Sequence, residues 1–176
     1  MLSDPAITTP RLPQDYNLVH IVKRKNGERV LAKGRKDVNE AIADAAARES
    51  FEETGYKNAI IELPTPSLAP GARDIPNNKE AIGMTLNVDS YCRREEGVKV
   101  QKFVFWFVSE VLMDAEGKPV QRVEGTQLAY EDYEVQEMSL DDSLAPGGIS
   151  NPTHRQMVEL TKSLLLKRYE MAIAKS

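Results

Sequence analysis

Short apolar-rich runs at Asn17 to Val22 and at Val30 to Ala32 predict two strands. Lys25-Asn26-Gly27-Glu28 between them carries an Asn-Gly pair, the local signal of a hairpin turn. The pattern then changes period. Ile42, Ala45 and Ala46 fall three and four apart, which puts them on one face of a helix. Asn39 is a residue that caps helix starts, Glu40 suits the positive end of a helix dipole, and Gly55 can turn left-handed and stop the helix. These signals predict a loop, a helix of about four turns, and a stop.

Farther on, Ala59 to Leu63 reads as a buried strand. Pro64 to Asn78 holds four prolines and reads as a loop. Ile82 to Cys92 alternates as a strand does, and Arg93 to Gly97 is its turn. Val98 to Leu112 holds the unbroken apolar run Phe103 to Val108, which predicts a central strand covered on both faces. There Trp106 and the phenylalanines are read as core, with base stacking as the alternative. Asp114 to Gln127 is a loop region with a turn at Glu116-Gly117-Lys118-Pro119. Tyr133 to Ser139 predicts a strand, and Leu140 to Leu144 a short helix ended by Pro146-Gly147-Gly148. A last helix starts at the cap Asn151 with Pro152 at its first position, and buries Met157, Leu160, Leu164 and Leu165. Strands with helices on both sides predict an α/β sandwich. Residues 1–14, with three prolines, form an irregular arm, and residues 15–176 form one domain.

A length of 176 residues suits a single domain with a proper core. The net charge of −4 exerts no global pull toward nucleic acid or membrane. The lone Cys92 cannot form an internal disulfide and reads as a strand thiol. No apolar run approaches the length of a membrane span. Met1 to Pro13 lacks a basic start followed by an apolar block. A cytoplasmic or nuclear location is the default expectation, with a secreted chain whose signal peptide has been removed as the alternative.

The predicted helix carries unusual chemistry. Its apolar stripe runs on into Glu49 and Glu53, with Glu52 beside them. Carboxylates three and four apart crowd one patch and repel each other. Such pairs are commonly a solvated acidic face. A divalent cation would relieve the repulsion, and an all-oxygen donor set suits magnesium or manganese. Arg48 lies four residues after Asp44 and four before Glu52, so it can bridge acids on that side.

The spacing around these residues is specific. Gly34, Glu40, Arg48, Glu49, Glu52, Glu53 and Gly55 resemble the Nudix box, Gly-x5-Glu-x7-Arg-Glu-U-x-Glu-Glu-x-Gly-U, and all seven fixed residues stand at the right offsets. Ser50 and Tyr56 depart from the bulky aliphatic residues usual at the U positions. The resemblance implies an α/β/α sandwich with a mixed sheet and a loop–helix–loop catalytic motif over residues 17–170. It implies hydrolysis of a phosphoanhydride with Mg2+ or Mn2+. Glu49 and Glu53 would bind the metal together with the backbone carbonyl of Lys33. Glu52 would be the general base or a further ligand, and Arg48 would orient the acids. Gly34 would let the loop backbone approach metal and phosphate. A further glutamate outside the box is expected, with Glu131, Glu134 and Glu80 as candidates.

The substrate is read from charge. Lys23, Arg24, Lys25, Arg29, Lys33, Arg35 and Lys36 surround the start of the box, opposed only by Glu28. Lysine and arginine both hold phosphate, so the cluster predicts a clamp for a polyanionic small molecule. Lys99, Lys102, His154 and Arg155 are expected to add to it, whereas His20 reads as structural. The pattern resembles the diphosphoinositol polyphosphate phosphohydrolase branch and fungal Nudix proteins, although Lys33-Gly34-Arg35-Lys36-Asp37 stands where that branch has a glycine run. An inositol pyrophosphate is the expected substrate. One alternative is a nucleotide hydrolase acting on dinucleoside polyphosphates, ADP-ribose, NADH or capped RNA. Another is a catalytically silent binding module. No membrane partner and no nucleic acid other than capped RNA are expected, and the oligomeric state is left open.

Overall fold

A computed structural model describes residues 18–66, 77–91 and 98–174. The order of elements is β1 (Leu18–Lys23), β2 (Arg29–Val30), α1 (Ile42–Thr54), β3 (Asn58–Ile60), β4 (Gly83–Tyr91), β5 (Lys99–Trp106), β6 (Ser109–Val111), β7 (Glu134–Ser139), α2 (Leu140–Leu144) and α3 (Pro152–Ile173). Helices and strands are mixed along the chain, which places it in the α/β class. The expectations for residues 1–14, Cys92, the turn at 93–97 and most of the proline-rich loop lie outside the described residues.

Most elements form where local chemistry asks for them. Gly27 sits at φ +84°, the left-handed turn that an Asn-Gly hairpin needs. Asn151 accepts hydrogen bonds from the Thr153 and His154 amides, and Pro152 occupies the first turn of α3. Gly55 ends α1 at φ +79° and donates to the Phe51 carbonyl. The start of α1 departs from expectation. The cap position is Ala41, with no side-chain bond, and Asn39 is instead left-handed at φ +64°. Asparagine tolerates that region, so it turns the loop rather than capping the helix.

The strands depart more. Instead of one mixed sheet, the described strands pair antiparallel in three small sheets, β2-β1-β7, β3-β6 and β4-β5. The apolar run read as one central strand changes partner within itself. Trp106 pairs with Gly83 on β4, and Ser109 then pairs with Ile60 on β3. Nor is the run covered on both faces. Trp106 is buried, but Phe103 is 56% and Phe105 39% exposed. Both lie on one face of β5, opposite Leu86 and Met84 of β4, whose side chains are exposed as well. Two residues apart on a strand means the same face, so a two-stranded ribbon covered on one side leaves this row open.

The core joins β1 to the two later helices. Ile21, Ile61, Leu63, Leu140, Ile149, Val158, Leu164 and Leu165 form one buried cluster. α3 contributes Val158, Leu164 and Leu165 to it, while Leu160 packs at its margin. His154 seals the near end. Its Nδ1 accepts from the Leu31 amide at 2.9 Å, and its ring meets Trp106 edge-on at 4.8 Å.

Candidate functional site

The site is built by the loop before α1 folding back onto the carboxylates of that helix. Gly34 lies so close to the Glu49 carboxylate that a β-carbon there would overlap it. With no side chain in the way, the next amide, Arg35 N–H, donates to Glu49 Oε1 at 2.9 Å. On the other side of Gly34, Lys33 N–H donates to Glu53 Oε2 at 3.1 Å. Two helix carboxylates are thus gripped by one loop backbone.

Arg48 organises the rest. Its Nε and Nη2 donate to Glu40 at 2.8 and 3.0 Å. Nη1 donates to Glu49 at 3.0 Å and to Glu52 at 2.9 Å, and Nη2 also reaches the Arg35 carbonyl at 2.9 Å. One planar guanidinium therefore orients three carboxylates and one carbonyl, which its forked donors allow and a lysine could not match. None of these bonds goes to Asp44, so the bridge expected from helix spacing forms on the Glu52 side alone. Glu40 closes the loop by accepting from Asp37 N–H at 2.8 Å. The bonds from Arg48 and Asp37 hold the Glu40 carboxyl down at about 2. The Glu40 carboxylate first, then Glu49 and Glu52, raise the Arg48 pKa above its ordinary value against the effect of burial.

Glu53 differs from its neighbours. It is 5% exposed, and burial pushes its carboxyl up to about 7. The Lys33 amide and ammonium oppose this rise, while Glu131 and Glu49 add to it. Of the three outside glutamates, Glu131 is the one whose charge acts on Glu53. Glu134 is paired with Lys23 at 2.9 Å, and Glu80 is exposed next to the Asn78 turn.

The basic residues do not all converge. Lys23 pairs with Glu134 and Lys25 with Asp132, and Arg29 bonds Gln136 and the Gly147 carbonyl. Arg155 donates to the carbonyls of Leu144 and Ala145 at the end of α2, away from the clamp in which it was expected. His154 is also lost to the clamp. It is 5% exposed, and burial, helped by Lys33 and Arg24, holds it near 4. Arg24, Lys33 and Lys102 do share one region. Crowding by the surrounding protein, then Arg24 and Lys102, lower the Lys33 pKa, although much of the residue remains open to solvent. Arg24 also contacts Glu28 at 3.3 Å. The Lys36 ammonium bonds the Asp37 carbonyl at 2.7 Å. The Lys99 side chain lies outside the described residues. His20 stacks on Tyr56 at 4.3 Å, and both rings reach Glu137.

A cavity of about 1050 Å³ adjoins this cluster. Lys33, Gly34, Lys36 and Glu49 line it together with Ile42, Ile60, Phe103 and Phe105. Arg122, Thr126 and Gln127 bond carbonyls at the end of α1. No periodicity or motif marks these three in the sequence. Among the described residues, no three His, Cys, Asp or Glu side chains form a ready-made metal group. Compared with known proteins, the chain matches no family model and no curated sequence.

Proposed function

We propose that the chain is a metal-dependent phosphoanhydride hydrolase of the Nudix type, with the α/β/α architecture that this implies. The observation that carries this reading is the gripping of Glu49 and Glu53 by the backbone on either side of Gly34, with Arg48 ordering Glu40, Glu49 and Glu52 around it. The donor chemistry fits a hard divalent cation. Glu53 is a buried carboxylate with no cationic side chain bonded to it, and it is hard to ionise without a positive partner. Glu49 and Glu53 would hold Mg2+ or Mn2+ together with the Lys33 carbonyl, and Glu52 would be the general base or a further oxygen donor. The ion would supply positive charge to the bridging phosphate oxygens. As the base, Glu52, one of whose carboxylate oxygens is bonded by Arg48, would take the proton of an attacking water. Lys33, Arg24 and Lys102 supply cations for the phosphates.

Glu52→Gln is nearly isosteric and is expected to lower turnover about a hundredfold or more, the order of general-base loss. Normal turnover in that variant would remove Glu52 from the role. Activity that survives complete chelation would remove the metal.

For the substrate we propose an inositol pyrophosphate, because Lys33 and Lys36 of the loop line the cavity beside Glu49, and Arg24 and Lys102 lie close enough to act on Lys33. Arg24→Ala or Lys36→Ala is then expected to raise the KM for inositol pyrophosphates far more than for ADP-ribose, and added salt should steepen the loss. A nucleotide substrate is the second reading. Phe103 and Phe105, read from sequence as core, carry open surface at the cavity and can meet a base. Equal losses on both substrates, or no inositol pyrophosphate hydrolysis by wild type, would favour the nucleotide.

A further inference from the structure

The segment from Arg122 to Tyr133 contains no helix or strand, yet it is tied to the end of α1 at four points. Arg122 Nε donates to the Thr54 carbonyl at 2.9 Å and Val123 N–H to that of Gly55 at 2.9 Å. Thr126 Oγ1 donates to the Glu52 carbonyl at 2.8 Å, and Gln127 Nε2 to that of Glu53 at 2.9 Å. The last carbonyls of a helix have no partners within it, so this strap completes them. The other end of α1 has no side-chain cap.

Gln127 is the centre of the strap. While its Nε2 holds the Glu53 carbonyl, it also donates to the Tyr133 carbonyl at 3.0 Å, and its Oε1 accepts from Tyr133 N–H at 2.8 Å. The same carboxamide thus joins the residue that carries a key carboxylate to the strand entry. Beyond it, Asp132 and Glu134 pair with Lys25 and Lys23 of the basic hairpin. A glutamine suits this position because it offers two donors and an acceptor in one plane.

Resting on the hydrolase reading above, we propose that Gln127 is a positioning residue that fixes where the Glu53 carboxylate stands against the Gly34 loop. It touches neither substrate nor metal. Its effect reaches the chemistry through the last turn of α1, where Glu52 and Glu53 both have their carbonyls held by adjacent strap residues. Small displacements of such groups lower rates steeply.

The test uses the full chain and Mn2+ alone as probe, followed by titration, beside steady-state hydrolysis. Gln127→Met keeps the length and removes all three bonds. It is expected to weaken Mn2+ binding at least about tenfold and to lower kcat by a similar factor, with KM changed less than about twofold. Gln127→Glu keeps the acceptor but sets a negative charge against two carbonyl oxygens, so its loss should be larger. If Gln127→Met does not fold, Thr126→Val removes the adjacent tether and carries the same expectation. A Gln127→Met protein that binds Mn2+ and turns over as wild type does overturns the proposal. So does one that loses only thermal stability. A wild type that neither binds Mn2+ nor hydrolyses any phosphoanhydride defeats the hydrolase reading itself, and the inference with it.

Discussion

Replacing Arg48 with methionine is expected to abolish most hydrolysis, by a factor on the order of a thousand, while leaving the hydrophobic core in place. The reason lies in how many groups depend on one side chain. Glu40, Glu49 and Glu52 all take hydrogen bonds from the guanidinium, as does the Arg35 carbonyl. Methionine keeps the aliphatic stem and removes every donor. Three half-buried carboxylates are then left to repel one another, and the loop carrying Gly34 keeps only its amide bonds to Glu49 and Glu53 once the Arg48 bonds to Glu40 and the Arg35 carbonyl are gone. Arg48→Lys should recover little, because a single ammonium cannot reach Glu40 and Glu52 together in the observed directions. Turnover and Mn2+ affinity, measured with the thermal midpoint, would check this. Turnover within about tenfold of wild type in Arg48→Met would show that the carboxylates organise themselves.

This arrangement shows how far the sequence could be read. Spacing alone put Glu49, Glu52 and Glu53 on one helix patch and set Arg48 beside Glu52, because helical geometry makes residues four apart neighbours. It could not show that Arg48 also reaches back to Glu40. That bond depends on the fold of the loop, where Asn39 turns left-handed and brings Glu40 under the guanidinium. The caps at Asn151 and Gly55 were legible for a similar reason, since each is satisfied within a few residues of chain. The segment Val98 to Leu112, with its apolar run Phe103 to Val108, reads as one strand because hydrophobicity does not say which strand a segment pairs with, or that it changes partner after Trp106. Charge was legible as a count and not as a direction. Lys23, Lys25, Arg29 and Arg155 belong to the basic set by sequence, yet each is engaged by a carboxylate, an amide or a carbonyl that folding alone brings near. Gln127 had no local signal because its partners, Glu53 and Tyr133, are supplied by tertiary contact.

The two most strongly shifted buried groups make an opposed pair in the pH dependence of stability. Glu53 rises from an ordinary 4.5 to about 7 on folding. Between those values the native state holds a proton that the unfolded chain has released, so its contribution is complete below pH 4.5 and is lost as pH rises to 7. His154 falls from 6.5 to about 4. Between those values the unfolded chain binds a proton that the native state excludes, so stability rises with pH from 4 to 6.5. Each shift corresponds to about 3 kcal/mol across its window. His20 is also lowered, mainly by burial, and acts in the same direction as His154. The two large terms nearly cancel between pH 4.5 and 6.5 and leave the smaller His20 term, which predicts a metal-free protein whose melting temperature rises only slightly over that range. Glu53→Gln removes one of them and should reveal a melting temperature that climbs with pH. A saturating divalent cation should act alike on the wild type, because binding requires the ionised carboxylate and strengthens as pH rises through 7. Melting curves from pH 4.5 to 7.5, in chelator and in excess Mg2+, separate the effects. A wild-type profile in chelator that climbs as steeply as that of Glu53→Gln would mean that Glu53 ionises as an ordinary glutamate, and the case for a cation at its carboxylate would go with it.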